Sequence, residues 1–406
     1  MPAITYIIFA LTLLGVALGS LPGLALDRTG FALLGAIAMV ASGALSTGAA
    51  FHALDMPTLL LLYALMVVSA QLRLGGFYAH AALGLSQLLA RPVRFLALLM
   101  GASAALSAVL TNDIICLTFT PIVAAALLRA RLNPVPFLLG LAVATNIGSA
   151  ATIIGNPQNM LIGQTAHLNF AAFLGWCLPP SLLALALAWA YLAWLYRDRF
   201  HLAAAAPGVA VEEPPYDAHQ SRKGLVAVAL LMALFFTQLP RELVAITIAG
   251  WLLCSRKMTT SSLLGLVDWH LLTLFCGLFV VIRGLELTHL PEQLPGWLLA
   301  HGWNLQHLPG LALVTAALSN VVSNVPAVML LTRLLPGAPV ETNYVLALAS
   351  TFAGNLFVIG SIANLIVIEQ AKKLGVAISF REHARTGVPV TVLSFLVLLV
   401  WLWLRT

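Results

Sequence analysis

Charged residues are scarce in this chain. Only 8% of its 406 residues are Asp, Glu, Lys or Arg and 61% are hydrophobic, whereas a soluble domain has about 25% charged residues. This deficit excludes a soluble globular protein, and the long apolar runs predict an all-α polytopic membrane protein. The net charge of +6 comes from basic residues scattered between apolar runs, so it indicates membrane orientation rather than a nucleic-acid partner.

Cysteine and the common catalytic motifs are also sparse. The four cysteines lie inside apolar segments at unrelated spacings, which form neither a metal pattern nor a disulfide framework. The sequence has no HExxH, no GxSxG and no paired intramembrane aspartates, and this argues against an intramembrane enzyme. We predict no cofactor beyond a coupling ion. The N-terminal run MPAITYIIFALTLLG lacks a basic region and is interpreted as a retained span rather than a signal peptide.

Apolar runs long enough to span a bilayer, about 20 residues, recur along the chain. They predict about ten spans, at 3–19, 29–45, 57–72, 135–165, 169–195, 224–239, 241–255, 269–283, 342–368 and 387–404. Two further runs have an Asn motif and a proline near their centres and are interpreted as re-entrant hairpins of two half-helices, at 95–128 and 308–335. Residues 76–90 and 289–301 are interpreted as interfacial segments.

The two halves of the sequence repeat each other. ALSAVLTNDIICLTFTPIV and ATNIGSAATIIGNPQNMLI resemble ALSNVVSNVPAVMLLTRLL and ASTFAGNLFVIGSIANLIV. The shift is nearly constant at three landmarks: 212 between Asn112 and Asn324, 205 between Asn159 and Asn364, and 213 between Asp55 and Asp268. We therefore predict repeat 1 over 1–200, a Pro- and Ala-rich linker over 201–222, and repeat 2 over 223–406.

Charge predicts the orientation of the repeats. Arg73 and Arg91 follow the third span of repeat 1, whereas the equivalent stretch of repeat 2 carries Glu286 and Glu292. The basic side therefore changes between the halves, as inverted-topology repeats require. With both termini extracytoplasmic and the linker cytoplasmic, most of the 20 Lys and Arg face the cytoplasm, and Arg333 is an exception. We predict a multi-pass protein of the plasma or inner membrane.

Polar residues cluster where the apolar runs break. Broken helices are tolerated in a membrane where they line an enclosed cavity, and matched breaks in two halves indicate a transporter site near the midplane. Helix N-termini there suit an anion, and freed carbonyls suit a cation. The predicted substrate-binding residues are Thr111, Asn112, Asn156, Asn159, Ser323, Asn324, Ser361 and Asn364. The predicted ion-coupling residues are Asp113, Asn112, Asn146, Gly148, Asn324 and Asn355, with Na⁺ at the hairpin tips. Alternatively, these polar groups only satisfy broken backbone or hold helices together.

Asp113 is the one carboxylate beside these motifs. An ionised carboxylate at mid-membrane is costly, so such residues are usually functional. Asp113 could carry a proton or ligate a cation, and the alternative is a structural role at a helix end. Repeat 2 has Val325 at the matching position, so only one half carries this charge.

The segments TNDIICLTFTPIV, NIGSAATIIGNPQNMLI, SNVVSNVPAVMLL and GNLFVIGSIANLIV resemble the ion transporter superfamily, and within it the arsenite-permease-like branch of anion permeases. The resemblance covers nearly the whole chain. It implies an elevator mechanism, with a scaffold of spans 1–3 and their repeat-2 equivalents, a transport domain of hairpins and interrupted helices, and a homodimer. In dicarboxylate members each hairpin tip reads Ser-Asn-Thr. Asn112 and Asn324 match that Asn, but Asp113 and Val325 replace the Thr, which argues against a di- or tricarboxylate.

The first functional hypothesis is a secondary active transporter of a small inorganic anion or oxyacid, such as arsenite or antimonite. Coupling would be to H⁺ through Asp113 or to Na⁺ at the hairpin tips. No cysteine cluster would bind As(III) as a thiolate, so an oxyacid would be held by hydrogen bonds. The alternatives are a sodium-coupled di- or tricarboxylate symporter of the same fold and a sodium/proton antiporter. A channel would need a continuous polar path, whereas the polar groups here cluster at the middle of the spans.

Overall fold

The computed structural model describes residues 2–19, 21, 23–86, 88–200 and 215–405. The described part of the first half contains the helices α1 Pro2–Leu18, α2 Arg28–Ala41, α3 Thr47–His52, α4 Met56–Leu74, α5 Phe77–Ser86, α6 Pro92–Val109, α7 Asn112–Arg129, α8 Pro134–Ser149, α9 Pro157–Thr165 and α10 Phe170–Leu195. The second half contains α11 Ala218–Phe235, α12 Arg241–Leu253, α13 Thr260–Leu264, α14 Trp269–Glu286, α15 Leu290–Ala300, α16 Leu308–Val322, α17 Asn324–Leu334, α18 Val340–Ala353, a 3-10 turn Val358–Gly360, α19 Ile362–Lys373 and α20 Phe380–Arg405. Apart from one isolated bridge between Leu21 and Leu24, these described residues form no β-structure, which confirms the predicted all-α class.

Six helices within the described residues are long and apolar enough to cross a bilayer. They are α4, α6, α7, α10, α14 and α20, of 18 to 26 residues. At 1.5 Å per residue, 18 residues rise about 27 Å, close to the hydrocarbon thickness. The predicted spans 224–239 and 241–255 correspond to α11, of 18 residues, and α12, of 13. The remaining predicted spans correspond to shorter apolar helices or to helices interrupted near their middle.

The two helix pairs interpreted as hairpins differ in length. α6 and α7 have 18 residues each, whereas α16 has 15 and α17 has 11. The first pair is separated by Leu110 and Thr111 and the second by Ser323 alone. Only one or two residues therefore separate the helices of each pair, at the position where the Asn motif occurs. α6 and α7 are each long enough to cross a bilayer, so the first pair is longer than the predicted half-helices.

Matching helices of the two halves begin at matching caps. Asp55 Oδ1 accepts a hydrogen bond from the Thr58 N–H at 3.0 Å, and Asp268 Oδ1 accepts one from the Leu271 N–H at 2.9 Å. The backbone angles are nearly the same, φ −80° and ψ 86° at Asp55 and φ −79° and ψ 83° at Asp268. A side-chain oxygen that caps the first turn fixes where a helix starts, so α4 and α14 start at equivalent places.

The short helices α3 and α13 are not predicted from the sequence, because five or six residues are too few to show a helical period. Ser46 Oγ caps α3 through the Ala49 N–H at 3.2 Å, and Thr259 Oγ1 caps α13 through the Ser262 N–H at 3.1 Å. These caps are separated by 213 positions, the shift found at the aspartate caps. The correspondence between the halves therefore extends beyond the segments in which the sequence shows it.

Two helices begin earlier than predicted because polar residues cap them. α20 begins at Phe380 rather than 387. Ser379 Oγ accepts from the Glu382 N–H at 3.2 Å, while Glu382 Oε2 accepts from the Ser379 N–H at 3.1 Å, the reciprocal pair of a capping box. α11 likewise begins at Ala218, inside the predicted linker, where Asp217 caps it.

The linker is therefore shorter than the predicted 201–222. Residues 201–214 lie outside the described residues, and 218–222 form the first turn of α11. Ser221 Oγ donates to the Gly75 carbonyl at 2.8 Å, and Gln71 Nε2 donates to Gln220 Oε1 at 2.9 Å. These bonds attach the start of α11 to the end of α4.

The interrupted helices form the centre of the molecule. α8 is buried at every residue and α18 at nearly every residue. α6 packs on α8 and α16 packs on α18, while α7 packs on α19 of the other half and α17 on α9. α1, α2 and α20 expose large apolar side chains, as expected of helices that face lipid. The break in α8–α9 is thus enclosed by protein, where irregular backbone is tolerated. The break in α18–α19 is buried at both ends but exposes Phe357 and Ile359 between them.

Candidate functional site

An asparagine side chain closes each broken helix. Asn159 Nδ2 donates to the carbonyl oxygens of Ser149, at 3.2 Å, and Thr152, at 2.9 Å. In the second half, Asn364 Nδ2 donates in the same way to Gly354, at 2.8 Å, and to Phe357, at 3.2 Å. Donors and acceptors all correspond by the shift of 205. Each amino group therefore satisfies two carbonyls that the break has freed, which is the structural alternative considered for these residues.

The breaks also require small residues. A Cβ on Gly155 would overlap the Ser149 carbonyl, and one on Gly360 would lie 2.9 Å from Asn320 Oδ1. Gly155 and Gly360 correspond by the same shift of 205. Glycine lets the chain turn back against the end of α8 at Gly155 and approach the Asn320 side chain of α16 at Gly360.

Asn146 lies at the centre of the polar network. Its Nδ2 donates to Asn355 Oδ1 at 2.9 Å and to Asn364 Oδ1 at 3.3 Å. Its Oδ1 accepts from Ser361 Oγ at 2.9 Å and from Asn112 Nδ2 at 3.3 Å. Asn146 is only 2% exposed. One side chain of the first half therefore joins the first hairpin tip to the broken helix of the second half.

A second set of contacts mirrors this one. Asn156 Nδ2 donates to Thr351 Oγ1 at 3.1 Å. Asn156 and Thr351 correspond to Ser361 and Asn146, which also form a hydrogen bond. The two contacts are therefore the same contact with the halves exchanged. Gln158 Nε2 adds a bond to Thr351 Oγ1 at 3.3 Å.

The backbone fixes the orientation of the amides. Asn364 gives its amino group to two carbonyls, so its oxygen must accept from Asn146 Nδ2. Asn146 Oδ1 is then the acceptor for Asn112 Nδ2, which leaves Asn112 Oδ1 without a donor. Asn159 Oδ1 also lacks a donor. The side chain cannot be turned to pair it, because Asn159 Nδ2 is already bound to two carbonyls.

Several buried polar atoms have no hydrogen-bond partner among the described residues. They include four amide oxygens and one amide nitrogen of this region: Asn112 Oδ1, Asn159 Oδ1, Asn320 Oδ1, Asn324 Oδ1 and Asn355 Nδ2. An unpaired buried polar group costs about 1–3 kcal/mol. Unpaired acceptors in and beside this network suit a ligand that brings hydrogen-bond donors, or a cation.

The two hairpin tips differ in backbone conformation. Thr111, at the first tip, is extended and buried, and its side chain does not cap α7. Ser323, at the second tip, has φ 77° and ψ 159°, a region essentially reserved for glycine that costs about 1–3 kcal/mol. Asn324 follows directly, and its Nδ2 lies 3.3 Å from the position that a Cβ on Gly354 would take. Strain of this kind is typical of functional sites.

Only some of the predicted ion-coupling residues belong to the polar network. Asn146 and Asn355 are in the network, together with Asn112. Gly148 is not, because a Cβ there would overlap the Ala104 backbone, so this glycine permits the close approach of α6 and α8. Asp113 lies partly buried in the first turn of α7 and forms no hydrogen bond or ion pair within the described part of the chain.

Sequence reasoning misses three residues of the network, which are Ser149, Thr351 and Gln158. Ser149 Oγ accepts from Asn156 Nδ2 at 3.0 Å. Thr351 occupies the position equivalent to Asn146, so applying the shift of 205 to each polar residue would have found it. Within the described residues, the hydrogen bonds of the network join amides, hydroxyls and carbonyls, and no basic side chain takes part. No group of three His, Cys, Asp or Glu side chains that could hold a metal ion occurs there either.

Comparison with known proteins assigns the family. The chain matches the CitMHS model, described as citrate transporter, over residues 6–353. It is 30% identical to the silicon efflux transporter LSI3 of Oryza sativa subsp. japonica, over 92% of this chain and 91% of the relative. It is 32% identical to the inner membrane protein YbiR of Escherichia coli, over 79% of this chain and 81% of the relative.

A solved structure shares the fold. The YdaH transporter of Alcanivorax borkumensis superposes with a TM-score of 0.61 and 14% sequence identity, covering 99% of this chain and 97% of that one. The predicted relation to the anion permease superfamily and the prediction that the chain is not an enzyme are thereby confirmed. The chain is a multi-pass membrane transporter and belongs to the CitMHS citrate transporter family.

Proposed function

We propose that this protein is a secondary active transporter of a small inorganic oxyacid, such as arsenite, antimonite or silicic acid. The observation that carries the proposal is a set of unpaired acceptor oxygens: those of Asn112 and Asn159, in a network without a basic side chain, and that of Asn324 at the second hairpin tip. Arsenous and silicic acids are uncharged at neutral pH and carry O–H donors. A carboxylate or fully ionised oxyanion brings only acceptors, which these oxygens would repel. The printed function of the rice relative, silicon efflux, is consistent with such a substrate.

The proposal includes an inverted-repeat elevator architecture. Its support is the pair of contacts that exchange the halves, Asn156 with Thr351 and Ser361 with Asn146, because a two-fold axis between the halves produces such a pair. The α6–α7 and α16–α17 hairpins and the broken helices α8–α9 and α18–α19 would form the moving transport domain. Helices α1–α4 and α11–α14 would form the scaffold, through which two copies would dimerise in the membrane.

Coupling to H⁺ through Asp113 is part of the proposal, with Na⁺ at the hairpin tips as the alternative. Asp113 is a partly buried carboxylate without a partner in the described part of the chain, directly after Asn112. We expect Asp113→Asn to abolish accumulation driven by a proton gradient while exchange of internal for external substrate continues. Accumulation that persists in Asp113→Asn and requires Na⁺ would favour coupling at the unpaired amide oxygens.

A carboxylate symporter is the second candidate, because the matching family model is described as a citrate transporter. Such a substrate would need donors, and Asn355 Nδ2 is an unpaired donor among the described atoms of the network. Citrate and succinate are therefore the substrates against which the oxyacids should be compared.

The test is a binding and flux panel on the purified protein. Arsenite, antimonite, silicic acid, phosphate, sulfate, succinate and citrate are added singly, with and without Na⁺ at constant ionic strength, at two pH values. A ligand at a hundredfold excess over its dissociation constant stabilises the folded state by about 2.7 kcal/mol. We expect arsenite, antimonite or silicic acid to raise the unfolding midpoint and to be carried by proteoliposomes.

Two variants test whether the stabilisation and the flux depend on the polar network. Asn112→Ala is expected to remove both the stabilisation and the flux. Asn169→Ala is the matched control, because Asn169 caps α10 through the Ala172 N–H at 2.9 Å, away from the network. Stabilisation by citrate only when Na⁺ is present, with no response to the oxyacids, would replace the first candidate by the second.

A further inference from the structure

One carboxylate outside the central network connects two helices. Glu286, at the end of α14, accepts from Arg283 Nη1 at 2.7 Å through Oε2 and from Arg333 Nε at 3.0 Å through Oε1. Arg283 lies one turn earlier on α14, whereas Arg333 lies in the last turn of α17. Only the bond from Arg333 therefore joins one helix to the other.

A cavity lies beside this bond. Its volume is about 490 Å³, and its lining comes from α3, α9, α14 and α17, including His52, Leu161, Phe279 and Thr332. Glu286 and Arg333 also line this cavity, so their ion pair joins α14 to α17 at its edge.

The exposures of the three side chains show which is the inner partner. The Glu286 side chain is 17% exposed, whereas those of Arg333 and Arg283 are 41% and 47% exposed. A carboxylate that is largely withdrawn from water needs its cationic partners, and removing one of them leaves a poorly compensated charge. This requirement also accounts for Arg333, which the charge pattern predicts on the side of the membrane that has few arginines.

We propose that the Glu286–Arg333 bond is a latch that stabilises this conformation of the transporter and opens in each transport cycle. The inference rests on the elevator part of the proposed function, which places α17 in the moving domain and α14 in the scaffold. Displacement by a single helical turn, about 5.4 Å, would separate a pair that now meets at 3.0 Å. Arg283 would remain with Glu286 in both conformations, since the two lie on one helix.

The first test compares two arginines that contact the same carboxylate. Hydrogen exchange is measured by mass spectrometry on wild type, Arg333→Gln and Arg283→Gln, without any substrate. We expect Arg333→Gln to speed amide exchange in α17 and in the cavity-facing part of α9 by up to about fivefold, the range of a partly exposed ion pair. Arg283→Gln should leave these segments as in wild type. Equal effects of the two substitutions, or none from Arg333→Gln, would overturn the latch.

The second test asks whether the pair must separate. Glu286→Cys and Arg333→Cys are combined and joined with a reversible bifunctional methanethiosulfonate reagent. The single-cysteine variants serve as controls, because the chain has four cysteines of its own. We expect the joined protein to stop carrying arsenite and to recover after reduction. Failure to join, or undiminished arsenite flux in the joined protein, would contradict the proposal. If wild type carries no arsenite, the substrate proposal fails, and hydrogen exchange still decides the latch.

Discussion

Removing Asn146 should destabilise the protein far more than removing its partner Asn112. Asn146→Ala deprives four buried groups of a hydrogen bond: Asn112 Nδ2, Ser361 Oγ, Asn355 Oδ1 and Asn364 Oδ1. Each unpaired group costs about 1–3 kcal/mol. Losses within one network do not add fully, so the lower end applies, and we expect a total of about 4 kcal/mol.

Asn112→Ala is the matched comparison. It breaks one bond, and Asn146 Oδ1 keeps its bond to Ser361. It also removes the unpaired Asn112 Oδ1, so its net cost should be about 1 kcal/mol or less. Both variants should lose transport, but only Asn146→Ala should lose stability.

The assay is reversible unfolding in mixed micelles by SDS titration, followed by tryptophan fluorescence. The expected difference of about 3 kcal/mol between the variants is roughly a hundredfold in the unfolding equilibrium. If Asn146→Ala and Asn112→Ala unfold at the same SDS fraction, Asn146 does not hold the halves together and the reasoning is refuted.

Three further predictions concern single positions. Ser323→Gly should relieve the strain of φ 77° and stabilise the protein by about 0.5–2 kcal/mol after the extra entropy of glycine, whereas Ser323→Ala should not; equal unfolding midpoints would argue against strain. Gly148→Ala should cost about 1–3 kcal/mol by overlap with the α6 backbone, and Gly101→Ala, which meets nothing within 4 Å, should be nearly neutral in the same titration. Backbone N–H donors of α11 and a nearby lysine hold the pKa of Asp217 below its usual 3.8. The carboxylate therefore stabilises the folded state above pH 3.8 and loses this effect as pH falls through the lowered pKa; Asp217→Asn, scanned over the same pH range, should show a weaker pH dependence than wild type.

Most of the helices and the location of the polar network follow from the sequence. The apolar runs and the Asn motifs predict the all-α class and the two breaks. An apolar run of about 20 residues and an interruption by Gly-Asn-Pro or Gly-Ser are both local signals. The landmarks at Asp55 and Asp268 also hold in the structure, where both residues cap helices in the same geometry. The sequence repeat strengthens these predictions, because a motif that is weak evidence alone is stronger evidence when it occurs in both halves at the same shift.

The sequence does not predict which asparagines bind backbone carbonyls and which join the two halves. Asn159 and Asn364 were predicted as substrate ligands, yet their amino groups bind backbone carbonyls within their own break. The central role of Asn146 depends on contacts 209 to 218 positions away, and no local pattern encodes such distances. Thr351 was missed because threonine replaces asparagine at the matching position, so the type of residue changed while the hydrogen bond remained.

The carbonyl bonds of Asn159 and Asn364 affect how mutational data on this transporter should be interpreted. A library of substitutions scored by growth would mark these two positions as intolerant, because a break with two unpaired carbonyls in the membrane-embedded interior is a folding defect that cellular quality control removes. Substitutions of Asn112 and Asn324, which have unpaired oxygens and, within the described residues, no hydrogen bond to a carbonyl of a break, should instead yield protein of normal abundance that does not transport. Scoring the same library for abundance as well as growth would therefore separate the residues that the fold requires from those that only transport requires.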